Sequence, residues 1–284
     1  MTLREKVKSA LLEWGGALCI FLGLAFLLML IIQILVQGLG SLDIQFLTSY
    51  PSRFPERSGV LSALTGTLWL MGLTALISIP LGIMTAVFME EYLPTGFWTR
   101  VLRLNIFNLA GVPSILFGVL GLAIFVRWFG MGRSLLAGAL TISLMILPTI
   151  IVATGEALRS VPAAIRQAAF GVGATRRQVV WGQVLPVAMP GIITGVILAL
   201  SRAIGEAAPL IMVGALTFVA FVPTNVFDSF TTLSIQIFSW ASRPQVEFQE
   251  VAAAGIILLL LITLGMNALA IYLRIRSSKI GSSL

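Results

Sequence analysis

The sequence predicts an all-α integral membrane protein with six spanning helices, and three observations carry that expectation. The 284-residue chain is 58% hydrophobic and only 10% charged, with a mean hydropathy of +1.03. A soluble domain would carry about a quarter charged residues. Uncharged runs recur at 14–42, 58–89, 104–126, 134–155, 178–201, 207–227 and 251–273. Each is long enough for the roughly 20 residues that a spanning helix needs. The short alternating segments of a β-barrel are absent.

The first run follows Arg4, Lys6 and Lys8 and so imitates a signal peptide. It is too long for a signal h-region and has no clear small-residue cleavage site after it, so it reads as a retained span. Cys19, the only cysteine, lies inside it, which excludes an intramolecular disulfide. The chain has no histidine. Zinc, haem and Ser-His-Asp chemistry therefore lose their usual residues.

Residues 178–227 could hold one helix or two, and the positive-inside rule decides between them. Six spans near 15–36, 61–88, 104–129, 135–154, 190–222 and 251–273 place both termini in the cytoplasm. Twelve basic residues then lie inside (Arg4, Lys6, Lys8, Arg100, Arg103, Arg159, Arg166, Arg176, Arg177, Arg274, Arg276 and Lys279). Five lie outside (Arg53, Arg57, Arg127, Arg133 and Arg243), and Arg202 stays within the membrane. Seven spans would put the basic tail outside. The net charge of +7 is thus explained by topology, and no basic stretch interleaved with aromatics points to nucleic acid.

Pro80, Pro113, Pro148, Pro190 and Pro209 fall in the inner spans and predict kinks. Glu90, Glu91 and Glu156 fall at cytoplasmic span ends, in solvated or loop-pairing roles. Arg127 and Arg133 are expected at headgroups, and 223–250 as an interfacial stretch in which Asp228 has no evident partner.

The cytoplasmic segment 156–190 predicts two short helices. Ser160 can N-cap the first, with Pro162 in its opening turn, and Gly171 and Gly173 end it. Thr175 and Gln178 have capping-box spacing and restart a helix that runs to Pro186. Read from its residues alone, such a segment is a connector or a slim docking element.

The most informative charges are Arg202 and Glu206, one helical turn apart, with 24 uncharged residues before and 21 after. A charge near mid-bilayer costs about 2.5–3.5 kcal/mol on insertion scales, so it needs a partner or a purpose. The pair is either a self-neutralising structural clamp or a guanidinium offered to an oxyanion and gated by the carboxylate.

The run QAAFGVGATRRQVVWGQVLP resembles the cytoplasmic signature of ABC importer permeases, with Ala168, Ala169, Gly173, Leu185 and Pro186 on their places. Gln167 stands for the usual Glu and Gln183 for the usual Ile. LAGVPSILFG, SRAIGEAAPLI and IQIFSWASRPQ are similar to the permeases of phosphate importers, the last two to the second, PstA-type, permease. The resemblance spans roughly residues 60–275. It implies a type I ABC importer permease-like core over 60–275, after a terminus, first span and external loop at 1–59 and before a cytoplasmic tail at 276–284. It further implies that Gln167, Ala168, Ala169, Gly173, Leu185 and Pro186 belong to a helix that docks on an ATPase. The implied partners are a second homologous permease, an ATP-binding cassette dimer carrying ATP and Mg, and an external phosphate-binding protein, all at a bacterial inner membrane. No G-x-x-x-x-G-K-[ST] stretch occurs, so ATP hydrolysis is expected in trans, with no cofactor or metal in this chain. Sulfate, molybdate or phosphonate remain alternative cargoes, and a secondary anion transporter an alternative class.

Overall fold

In a computed structural model that describes residues 3–94 and 96–281, the chain is helical throughout its regular structure. The last three residues of the expected cytoplasmic tail lie outside the described residues. Five helical runs are long and apolar enough to cross a bilayer: Leu12–Ser41, Leu61–Tyr92, Leu135–Arg159, Arg176–Ile204 and Val246–Tyr272. Two further helices, Phe97–Ala110 and Ser114–Trp128, are long and apolar enough only when taken together, and they are bent by 100° at the break between them. Six spans are therefore present when the bent pair is counted as one.

In chain order the helices are α1 (Leu3–Gly38), α2 (Ile44–Thr48) and α3 (Leu61–Val87), the last extended by a wider π turn at Phe88–Tyr92. Next come α4 (Phe97–Ala110), α5 (Ser114–Gly121, extended by a π turn to Trp128) and α6 (Leu135–Arg159). The connector contributes α7 (Ala163–Gly171) and α8 (Arg176–Val179). A π turn at Val180–Val184 then leads into α9 (Leu185–Ile204). Finally α10 (Ala208–Val213), α11 (Leu233–Ala241) and α12 (Val246–Gly281) complete the chain.

Four sequence expectations are corrected here. The third span is not one helix over 104–129, because Pro113 has no N–H to continue the ladder of α4 and drives its neighbour towards extended backbone. The fifth span does not run over 190–222 but ends at Ile204. Pro209 would clash with the Gly205 carbonyl four residues back, so the chain breaks at Gly205 and restarts as α10. Gly214, at φ +97°, then ends α10 in a left-handed cap that a side chain would strain. Ser160 closes α6, its hydroxyl donating to Ala157 O, rather than opening α7. Pro186 does not stop the restarted helix, since the wider turn just before it accommodates the missing donor.

Helix α6 is the centre of the bundle, packed against α3, α9, α4, α5 and α10. Small residues permit that approach. A Cβ on Gly191 would sit 2.8 Å from Ala157 Cβ, and one on Gly82 would sit 2.5 Å from Ile150. Gly195 faces Ala153 and Gly121 faces Thr141 in the same way. Helix α12 covers α9, α11 and α1, and α1 is the outermost span.

Within 223–250, α11 is built into the bundle, while Phe227, Phe238 and Val246 stay exposed. Leu233, Ile235, Gln236 and Trp240 of α11 are buried, and α11 packs on α12 and α3. Thr67 Oγ1 accepts the Leu233 N–H at 2.9 Å, and the Thr231 carbonyl sits against Gly66. Asp228 does have partners: its carboxylate accepts the N–H groups of Thr224 and Asn225 at 2.8 and 2.9 Å. Those bonds hold its pKa below the ordinary carboxylate value.

Two outcomes follow from this packing. Gly66→Ala must displace the Thr231 backbone and should lower thermal stability in detergent by about 1–3 kcal/mol. Gly72→Ala, on the same helix with open space, should not. The capping box at α8 is formed, with Thr175 Oγ1 accepting from Gln178 N–H and Gln178 Oε1 from Thr175 N–H. Thr175→Ala should cost about 1 kcal/mol locally, read as roughly fivefold faster amide exchange across 176–184.

Candidate functional site

The site is built by the break in the fifth span. Helix α9 carries Arg202 into its last turn, where a cation complements the unpaired carbonyls of the helix end. Glu206 follows the break, so the pair spans the C-cap Gly205 instead of lying within one continuous helix. Arg202 Nε lies 3.6 Å from Glu206 Oε1, an ion pair without a close hydrogen bond. The Arg202 side chain is 57% exposed and that of Glu206 only 20%. Glu206 is anchored from behind, its carbonyl accepting the Ser234 hydroxyl at 3.1 Å, while Ser234 shares a 3.0 Å bond with Thr232.

Depth along the bundle follows from α3. Thr67 holds the start of α11, beside Ser234 and hence Glu206, and Glu90 lies 23 residues further along the same helix and its π turn. At about 1.5 Å per residue this is about 35 Å, a little more than the hydrocarbon thickness. Arg202 and Glu206 therefore lie towards the end of the bundle opposite the α7–α8 connector, not at its middle. A half-free guanidinium there, with most of its N–H fork unused by protein acceptors among the described residues, is suited to a tetrahedral oxyanion.

At the other end, the structure separates the connector residues by role in packing. Gln167 and Ala168 face outward on α7, beside exposed Phe170 and Val172. Ala169 and Leu185 are half-buried against the core. Gly173 takes φ +84°, the left-handed geometry that ends α7, and Pro186 sits in the first turn of α9. Of these six residues Gln167, Ala168, Gly173 and Pro186 are exposed, and only Ala169 and Leu185 are half-buried.

Glu90 and Glu91 were the least legible site residues. Both are mostly buried in ion pairs with arginines of other segments. Adjacent carboxylates closing a 32-residue uncharged run, in a chain with only 11 acidic residues, were the available signal.

Residues 78–278 match the family described as binding-protein-dependent transport system inner membrane component. The chain is 33% identical over 264 residues to "Probable ABC transporter permease protein YqgI" of Bacillus subtilis (strain 168), covering 89% of this chain and 90% of that protein. It is 40% identical over 163 residues to "Phosphate transport system permease protein PstA 1" of Mycobacterium tuberculosis (strain ATCC 25618 / H37Rv), covering 56% and 53%. In fold it resembles a chain of a bacterial alginate ABC transporter crystallised with a pentasaccharide-bound periplasmic protein, with TM-score 0.67 and 18% identity over 94% of this chain and 95% of that one. The chain belongs to the binding-protein-dependent transport system inner membrane component family, as a PstA-like ABC importer permease.

Proposed function

We propose that this permease carries inorganic phosphate inward, together with a second homologous permease, and couples to a separate ATPase that holds ATP and Mg. The observation that carries the substrate reading is the exposed Arg202 guanidinium, held by Glu206 through a loose 3.6 Å ion pair at the break after α9. Phosphate presents several oxygens to a planar fork of N–H donors, and Arg is the side chain whose geometry matches them. The relationship to a protein named as a phosphate transport permease supports the same reading.

Glu206 supplies release. With no anion present it neutralises Arg202, and with an anion bound it competes for the guanidinium and prevents tight retention. A translocation path needs weak binding as much as selective binding. The end of the bundle bearing Arg202 then faces the outside, where an external phosphate-binding protein delivers its load. The connector end faces the cytoplasm, as do both termini. There Gln167 and Ala168, with Phe170 beside them, form the slim surface offered to the ATPase dimer, and Ala169, Gly173, Leu185 and Pro186 set its angle. Since Gln167 is uncharged, that contact rests on shape and hydrogen bonding rather than an ion pair.

Uptake of labelled phosphate, with sulfate in parallel, by phosphate-starved cells tests the substrate. Deleting this chain should abolish high-affinity phosphate uptake and leave sulfate untouched; loss of sulfate uptake alone would overturn the cargo. Arg202→Ala should lower phosphate uptake at least about tenfold with the complex intact, the loss expected for a charged hydrogen-bonding partner. Unchanged uptake in an assembled complex would remove Arg202 from the path. Glu206→Gln should lower both the apparent KM and the maximal rate, because the anion is held longer.

A further inference from the structure

Three consecutive residues at the end of α3 hold arginines from four other helices. Glu90 Oε1 accepts Arg103 Nη2 of α4 at 2.9 Å and Arg159 Nη1 of α6 at 2.5 Å. Glu91 Oε1 accepts Arg166 Nη2 of α7 at 2.7 Å. The ring of Tyr92 lies 5.5 Å from the guanidinium of Arg176, which opens α8. A π turn over Phe88–Tyr92 presents these side chains, a local widening of the helix that recurs at functional sites.

The arrangement is specific rather than a solvated charge run. The Glu90 and Glu91 side chains are only 12% and 11% exposed. Gly155 of α6 leaves the room that Glu90 occupies, since a Cβ there would meet Glu90 Oε1 at 3.3 Å. Arg166 also donates to the carbonyls of Leu158 and Val161, at 2.9 and 2.8 Å, so one guanidinium joins α7 to the end of α6 and to α3. The chain bends on both sides of α7, at Pro162 and at the left-handed Gly173. A short helix between two bends follows whatever its side chains grip, and Arg166 is its charged grip on the spans.

We propose that Glu91 and Arg166, with the neighbouring Glu90 ion pairs, are the positioning residues that transmit movement of α7 to α3, α4 and α6. The Glu90–Glu91–Tyr92 turn acts as one hub, so that α7 and the end of α3 shift together. This rests on the reading of α7 as the ATPase-docking helix. Removing one carboxylate charge breaks the transmission while leaving the outward face of α7, and hence docking, intact.

The test uses the full complex of this chain with its partner permease, ATPase and binding protein in proteoliposomes, reading inorganic phosphate moved per ATP hydrolysed. Glu91→Gln should retain the ATPase through purification and continue to hydrolyse ATP, with transport per ATP reduced about tenfold, within the usual range of coupling between sites. Glu91→Asp, which keeps the charge, should recover much of the ratio. Full coupling in Glu91→Gln would overturn the proposal. Should that variant fail to assemble, or should phosphate not be the cargo, a second measurement still decides. Spin labels on Met84→Cys of α3 and Ala163→Cys of α7, both exposed, in a Cys19→Ser background report the α3–α7 distance without any substitution in the hub. One distance distribution in the nucleotide-free and ATP-trapped states is expected; a shift between them would overturn the proposal. An ATPase that never co-purifies with the wild-type chain would instead overturn the docking reading on which it rests.

Discussion

Inside hydrocarbon, a backbone N–H or C=O without a partner costs several kcal/mol, and the rest of this fold depends on how that constraint is met. Five of the spans meet it as long helices that carry internal prolines or π turns without stopping, or contain neither. The third breaks at Gly111–Pro113, and the chain breaks again just after the fifth, at Gly205–Ala207. The helices that follow these two breaks are packed on each other. Helix α10 lies on α5, where a Cβ on Gly118 would come within 2.7 Å of the Pro209 backbone. Irregular backbone is thereby kept against protein, and the irregular segment that follows α10 is bound to α3 through Gly66 and Thr67. A helix end so supported can carry a charged residue that a continuous span could not.

The charges divide accordingly. At one end of the bundle a loosely paired Arg202 stands open, and at the other the carboxylates of Glu90 and Glu91 are closed among arginines. Loose pairing leaves donors for a passing anion, whereas close, shielded pairing fixes geometry. Helix α3 runs between the two ends, and its small residues let it lie close to α6 over much of its length. The same apolar composition that makes the chain a membrane protein leaves few polar groups to mark its working parts.

Much of the architecture was legible because it follows from length and charge placement. Span number came from uncharged runs and from the bias of Lys and Arg between loops. The left-handed Gly173 and the Thr175–Gln178 capping box were visible as residue types at fixed spacing. Helix ends inside apolar runs were not legible. Pro80, Pro148 and Pro190 sit in continuous helices, while Pro113 and Pro209 mark breaks, and the difference lies in tertiary packing that a local pattern does not contain. For the same reason Arg202 read as a mid-membrane charge, and α11 read as interfacial although Trp240 and Gln236 are fully buried. The ion pair between Glu91 and Arg166 joins residues 75 apart, so a loop-pairing role for Glu91 was readable but its partner was not.

The proposed anion path requires the break after α9 to open on water. A single cysteine at Gly205, an exposed position, in a Cys19→Ser chain within the assembled transporter probes that opening. A membrane-impermeant thiol reagent added from outside should modify it, phosphate should slow the reaction, and a cysteine at Leu76, exposed in the apolar middle of α3, should stay unmodified. No modification at Gly205 in any nucleotide state, or modification indifferent to phosphate, would contradict such a path.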